Sequence, residues 1–217
     1  MMKIKKPPIL PDLEFRSFGM EDLRAVEDGH YIEGHAAVYD QTVDIGGYFY
    51  EVIKRGAFDG CDFEDVLFCI NHDTRKIPLA RSRRNNGNST MQIKLDERGL
   101  YIRAALDVDN NAEAKALYSA VSREDINGMS FIFVVRTQTW DNLDTEKPTR
   151  IITSIKKVRE VTAASFPAYS GTDINARDQR ALENAAAALE NARSARIGQS
   201  GELEKLKLKI AIKAKGW

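Results

Sequence analysis

The chain is predicted to be α+β and mainly β, with one substantial helix inside the folded core and a helical segment appended after it. Three observations point there. Short apolar runs that alternate or are β-branched recur between Leu13 and Val161. Within that stretch the pattern turns helical only once, near residues 112–123. After Asp178 the composition shifts abruptly to alanine. At 217 residues there is material for one sizeable core with tails to spare.

Taken in order, Met1 to Pro11 carries three lysines and three prolines without periodicity, and is expected to be a disordered arm. Leu13 to Phe18 alternates, and Tyr31 to Tyr39 does so loosely around Gly34. Tyr48 to Ile53 is aromatic and β-branched. Val66-Leu67-Phe68-Cys69-Ile70 is a continuous apolar run, as expected of a strand buried on both faces. Met91 to Leu95 and Leu100 to Leu106 flank Asp96-Glu97-Arg98-Gly99 and read as a hairpin.

Asn110 and Asn111 are placed to cap a helix from Ala112 to Arg123, with Ala114, Leu117, Tyr118 and Val121 on its apolar face. Phe131 to Val135 is again a buried strand, and Ile151 to Val161 alternates in part. Gln179 to Ala195, with Leu182 and Leu189 one heptad apart, is expected to be an exposed helix, because so narrow a stripe does not build a core. Gln199-Ser200-Gly201 breaks it. Leu203 to Lys215 fits a helix through Leu203, Leu206 and Ile210, or a strand through Leu206, Leu208, Ile210 and Ile212; the helix is favoured. The resulting division is an arm over 1–11, a core over 12–176 and a helical tail over 177–217, removable or scaffold-binding. There is no internal repeat.

Charge and composition narrow the function. Lys+Arg and Asp+Glu both number 32, which argues against direct nucleic-acid binding, since phosphate recognition needs a basic excess. Charges interrupt every apolar run before it could cross a bilayer, so no membrane partner is expected. The N-terminus has no apolar signal-peptide core, which makes the cytoplasm the default compartment and reduced thiols the expectation for Cys61 and Cys69. Two cysteines without nearby partners are too few for a zinc site, and no metal or cofactor is expected.

Three stretches supply chemistry: Ile70-Asn71-His72-Asp73, Gly128-Met129-Ser130-Phe131 and Arg159-Glu160-Val161. They offer a base, a hydroxyl and a carboxylate. A serine hydroxyl is a weak nucleophile until an imidazole takes its proton, and an acid commonly orients that imidazole. His72 follows a buried strand directly, a position at the rim of a core. The bland alternative for it is a histidine with satisfied hydrogen bonds and no task, which is how His30 and His35 are read. Ser130 follows a glycine that would let substrate approach the backbone, yet Gly-Met-Ser is also an ordinary turn sequence. It is not a Gly-x-Ser-x-Gly elbow, since Ile132 stands where the second glycine would be. Glu160 either orients His72 or faces solvent among Lys156, Lys157 and Arg159. Asp44 and Asp73 are rival carboxylates, Asp73 being poorly placed because neighbouring strand residues point to opposite faces.

Taken together, these segments resemble the tailed-phage prohead maturation protease family, itself similar in fold and mechanism to the herpesvirus assemblins. The resemblance runs from Tyr31 to Asn175. Gly34-His35-Ala36-Ala37-Val38-Tyr39-Asp40 looks like the family's opening strand, and Glu51-Val52-Ile53-Lys54-Arg55-Gly56-Ala57-Phe58 like its Glu-x-Ile-x-x-Gly-Ala-Phe signature. Asn71-His72-Asp73 is similar to its Asn-His-Asp, Gly128-Met129-Ser130-Phe131 to its Gly-x-Ser-Phe, and Glu160-Val161-Thr162 with Phe166-Pro167-Ala168-Tyr169 to its closing block. The chain departs from the family at Ala80, where glycine is usual, at Ile132-Phe133 in place of Gly-Phe, and at Thr162 in place of serine. Assemblins use a second histidine as third catalytic member. None of the three histidines here lies beyond residue 72, so none fills that place; Glu160 is the acid chosen for it over its rival carboxylates.

The resemblance implies an assemblin-like mixed β-barrel packed by helices. It implies a serine endopeptidase with Ser130 as nucleophile, His72 as base and Glu160 as orienting acid. The substrates would be the major capsid protein, its scaffolding segment and the protease itself, inside the immature head in the host cytoplasm. In assemblins a loop after the third member helps supply oxyanion donors; the corresponding loop here would be near Ser165 to Ser170, where Pro167 has no N–H to give, and the donors are left unassigned. A non-enzymatic capsid scaffold, with His72 and Ser130 incidental, is the alternative.

Overall fold

One long strand organises the molecule. The computed structural model describes residues 13–19, 22–165, 183–198 and 202. Its elements in chain order are β1 (Glu14–Gly19), β2 (Arg24–Val26), β3 (Tyr31–Val38), β4 (Thr42–Ile45), β5 (Phe49–Ile53), β6 (Asp65–Ile70), β7 (Ala80–Arg83), β8 (Met91–Leu95), β9 (Gly99–Ala105), α1 (Ala112–Ser122), β10 (Gly128–Asp141) and β11 (Thr149–Ala164). A further helix, α2, spans 183–198. The organising strand is β11. It pairs antiparallel with β10 along one side. On the other side its start pairs with β5 and its end with β6, both parallel. β1 adds outside β10, β4 outside β5 and β7 outside β6. The second sheet runs β2-β3-β9-β8.

The fold is therefore mainly β with helices packed on it, in line with the sequence. Its described strands form two sheets rather than a closed barrel, because the smaller sheet pairs only within itself and β1, β4 and β7 end the larger ladder. Ile32, Ile102 and Ala104 of the small sheet meet Phe131, Phe133, Val158 and Val161 of the large one in one apolar core, which also takes Ala114, Leu117 and Val121 of α1. Phe131 and Phe133 are fully buried and stacked, with ring centroids 4.5 Å apart. Each such side chain contributes about 1.5–3 kcal/mol by leaving water.

Local rules explain most of the elements. Asn111 caps α1, its side chain accepting from the N–H groups of Glu113 and Ala114, while Asn110 instead bonds Asp107. In the β8–β9 turn the Asp96 carboxylate accepts from the N–H groups of Arg98 and Gly99. A Cβ on Gly99 would lie 2.0 Å from the carbonyl oxygen of Ala37, so glycine alone lets β9 approach β3 there. β2, β4 and β7 were not legible, since three or four residues carry no measurable alternation. β10 also runs past the apolar Phe131–Val135 through a polar half that is a strand only because β11 pairs with it, across several register shifts.

The C-terminal helix differs from expectation. It is not exposed all round: Ala185 and Leu189 are buried against Ile45, Phe49 and Leu143, with Ala192 alongside. A narrow stripe suffices here because the β4–β5 hairpin and Trp140 already present an apolar patch. Asn184 donates to the Leu13 carbonyl and Arg193 to that of Thr145. The expected disordered arm at Met1–Pro11, the loop from Phe166 to Ser170, Leu182 and the helix-or-strand segment Leu203–Lys215 lie outside the described residues. Among the described residues, no helix is long and apolar enough to cross a membrane.

Candidate active site

Cross-strand register brings two of the three stretches together. Ser130, third residue of β10, lies opposite Thr162 of β11, and Ile132 lies opposite Glu160. Directly opposed residues of an antiparallel pair share a face, and so do residues two apart on one strand. Ser130, Thr162 and Glu160 therefore lie on the same face, with Ser130 and Glu160 diagonal neighbours. Glu160 is only 1% exposed, so it does not face solvent as the lysines around it allowed. On the other side of Ser130, β1 sets Ser17 directly opposite.

His72 arrives from β6, which pairs with β11 up to Ile70–Ala163. The Asn71 N–H donates to the Ala163 carbonyl at 3.0 Å, and the chain then leaves the sheet. Asn71 (φ 48°) and His72 (φ 57°) are both in the left-handed region. That turn swings the imidazole back over β11. His72 Nε2 lies 2.6 Å from Ser130 Oγ, and His72 Nδ1 lies 2.6 Å from Glu160 Oε2. The three residues picked from the sequence thus form one hydrogen-bonded chain, hydroxyl to imidazole to carboxylate.

The surroundings fix that chain. Glu160 Oε1 has no hydrogen-bond partner among the described residues, so the imidazole is the polar group that answers this buried carboxylate. Ser130 is fully buried, and its hydroxyl also donates to the Arg16 carbonyl of β1 at 2.7 Å. One proton thus faces two acceptors, Arg16 O and His72 Nε2. Arg16 is itself locked from behind in a buried cluster. Its guanidinium bonds Glu51 and Glu14, and Arg150 bonds the same two carboxylates and Gln138. Burial pushes Glu14 up, but the Arg16 charge and the Arg150 hydrogen bond outweigh it and hold the carboxyl below its usual range.

The remaining candidates sit elsewhere. Asp44 bonds Lys147 and the Gly47 N–H, and Asp73 accepts from Arg75. His35 is buried between Asp22 and Asp96, and His30 packs edge-on against Tyr118. Cys61 and Cys69 are free thiols that burial pushes up to about 12, so neither is a nucleophile near neutral pH. Two contributors escaped sequence reasoning. The Arg16 carbonyl is a main-chain atom with no residue signature. Thr162 registered only as a departure from a family pattern, yet its hydroxyl accepts from the His72 N–H at 3.1 Å. The loop suggested for oxyanion donors is described only at Ser165, whose N–H donates to Asn71 Oδ1 at 2.9 Å.

Among curated proteins, none matches the chain. The solved structure of the bacteriophage T4 capsid assembly protease is similar at 14% identity and a TM-score of 0.42, covering 70% of this chain and 97% of that one. The sequence matches the family described as caudovirus prohead serine protease over residues 20–187. That match takes in every strand from β2 to β11 and all three stretches above. The chain therefore belongs to the caudovirus prohead serine protease family, and it is a serine protease of capsid maturation.

Proposed function

We propose that the protease is of the Ser-His-Glu type, with Ser130 as nucleophile, His72 as general base and Glu160 as orienting acid. The observation that carries this reading is the pair of 2.6 Å hydrogen bonds through the two ring nitrogens of His72. In the first half-reaction His72 Nε2 takes the Ser130 proton as Oγ attacks the peptide carbonyl. Glu160 accepts from Nδ1–H, keeps Nε2 free for the proton, and stabilises the imidazolium that results. His72 then gives that proton to the leaving amine, and the acyl group stays on Ser130. In the second half-reaction water loses a proton to His72 as it attacks the acyl carbon; the ester bond to Ser130 then breaks, His72 returns the proton to Oγ, and the acid product leaves.

The substrates on this reading are the major capsid protein with its scaffolding segment, and the protease itself, within the procapsid in the host cytoplasm. The core over 12–176 carries the chemistry. The tail over 177–217 is a removable or scaffold-binding segment; since α2 is docked through Ala185 and Leu189, cleavage would fall at the sequence break Gln199-Ser200-Gly201 that follows it rather than within the helix. The test is co-expression with the capsid protein, read by intact mass. Wild type shortens the capsid protein and its own chain, whereas Ser130→Ala and His72→Ala leave both intact while remaining folded. Normal cleavage by either variant rejects the assignment.

A further inference from the structure

We infer that Thr162 is a positioning residue for the catalytic base, holding His72 through its main chain. The inference rests on the Ser130, His72 and Glu160 reading above. Two consecutive non-glycine residues, Asn71 and His72, sit at positive φ. That conformation is strained for an ordinary side chain, and asparagine offsets part of the strain by bonding locally. Something outside the turn must hold it. Asn71 is held by Ser165, its amide donating to Ser165 Oγ at 3.0 Å while its carbonyl oxygen accepts from the Ser165 N–H. His72 is held by Thr162, whose Oγ1 accepts from the His72 N–H.

The position of Thr162 gives this contact its weight. It is fully buried, directly opposite Ser130 in the ladder and two residues past Glu160 on the same strand face. One strand therefore carries the acid, faces the nucleophile and grips the backbone of the base. Without the grip, the turn can relax toward ordinary φ. The imidazole then leaves the line between Ser130 and Glu160, where each contact is 2.6 Å.

Two substitutions separate positioning from packing. Thr162→Val keeps the shape and adds apolar character, but cannot accept the His72 N–H. Thr162→Ser keeps the acceptor and loses a methyl. A packing role predicts that valine is tolerated and serine harms; a positioning role predicts the reverse. The full chain would be titrated with a fluorophosphonate probe, reading the maximal labelling rate of Ser130 and the probe concentration at half-maximum. Thr162→Val is expected to lower the rate on the order of 10–100-fold, the scale of a displacement near 1 Å, with half-saturation nearly unchanged. Thr162→Ser is expected to stay near wild type. Valine at the wild-type rate, or serine falling as far as valine, overturns the inference. Labelling lost in His72→Ala but kept in Thr162→Val rejects the role of Thr162 alone. Absent wild-type labelling, or wild-type labelling of His72→Ala, rejects the catalytic reading beneath it. If Thr162→Val does not fold, the exchange measurement on the wild type decides alone. Amide hydrogen exchange at His72 in the wild type decides independently: protection supports the anchor, and exchange at the rate of a free turn amide overturns it.

Discussion

A buried carboxylate whose polar neighbour is an imidazole has a narrow range of roles. Glu160 is such a group, bonded through Oε2 to His72 and with Oε1 unpartnered among the described residues. On the mechanism proposed above, Glu160→Gln keeps the shape and removes the charge that would stabilise the imidazolium. The expected outcome is a fall in kcat of roughly 10²–10⁴-fold with the fold intact, measured on cleavage of capsid protein. Cys69 lies close by and behaves oppositely. Burial, followed by the charges of Glu160 and Asp73, raises its thiol to about 12. Native protein should therefore resist iodoacetamide at neutral pH at both Cys61 and Cys69, while urea-unfolded protein alkylates fully, as read by mass. At this scale residue types were legible but environments were not: nothing in Arg159-Glu160-Val161 says that the carboxylate is 1% exposed rather than solvated.

Strand β1 has two duties. Its Arg16 carbonyl meets the Ser130 hydroxyl, and its Arg16 and Glu14 side chains enter the ion cluster with Glu51 of β5 and Arg150 of β11. Among the described residues the cluster is balanced, two cations to two anions, which makes its burial tolerable. Removing one partner leaves charge uncompensated. Glu51→Ala is expected to cost about 3–5 kcal/mol of stability, measured by urea unfolding. The alternation of Leu13 to Phe18 made β1 legible as a strand. Its partners were not, because Glu14 and Glu51 are far apart in the chain and meet only when β1 joins β10 and β5 joins β11.

Across the whole molecule, the same cluster should set acid stability. Glu14 titrates below its ordinary value of 4.5 in the folded protein, because the Arg16 and Arg150 contacts outweigh the opposing effect of burial. A lowered folded value means that protonation is harder folded than unfolded. Its stabilising contribution is thus complete above the ordinary value and lost as pH falls through the lowered one. Tm should drop in that acidic window, and Glu14→Gln should be less stable at neutral pH with a flatter acid limb. The docking of α2 is another property of the whole. An alanine-rich helix with one narrow stripe finds a place because β4, β5 and Leu143 leave an apolar patch to cover.

By itself the sequence determined the mainly β character, the capped helix α1, and the hydroxyl, imidazole and carboxylate that the candidate site brings together. Those follow from local rules: periodicity, capping and the chemistry of side chains. Tertiary structure alone decided that Glu160 rather than Asp44 or Asp73 bonds the imidazole, that Arg16 lends a carbonyl to Ser130, and that Thr162 grips the His72 backbone. The physical reason is that each of these contacts is set by register. Ser130 reaches Thr162 across β10 and β11, and Ile70 reaches Ala163 across β6 and β11. A shift of one residue in either pairing would turn the same side chains to the opposite face.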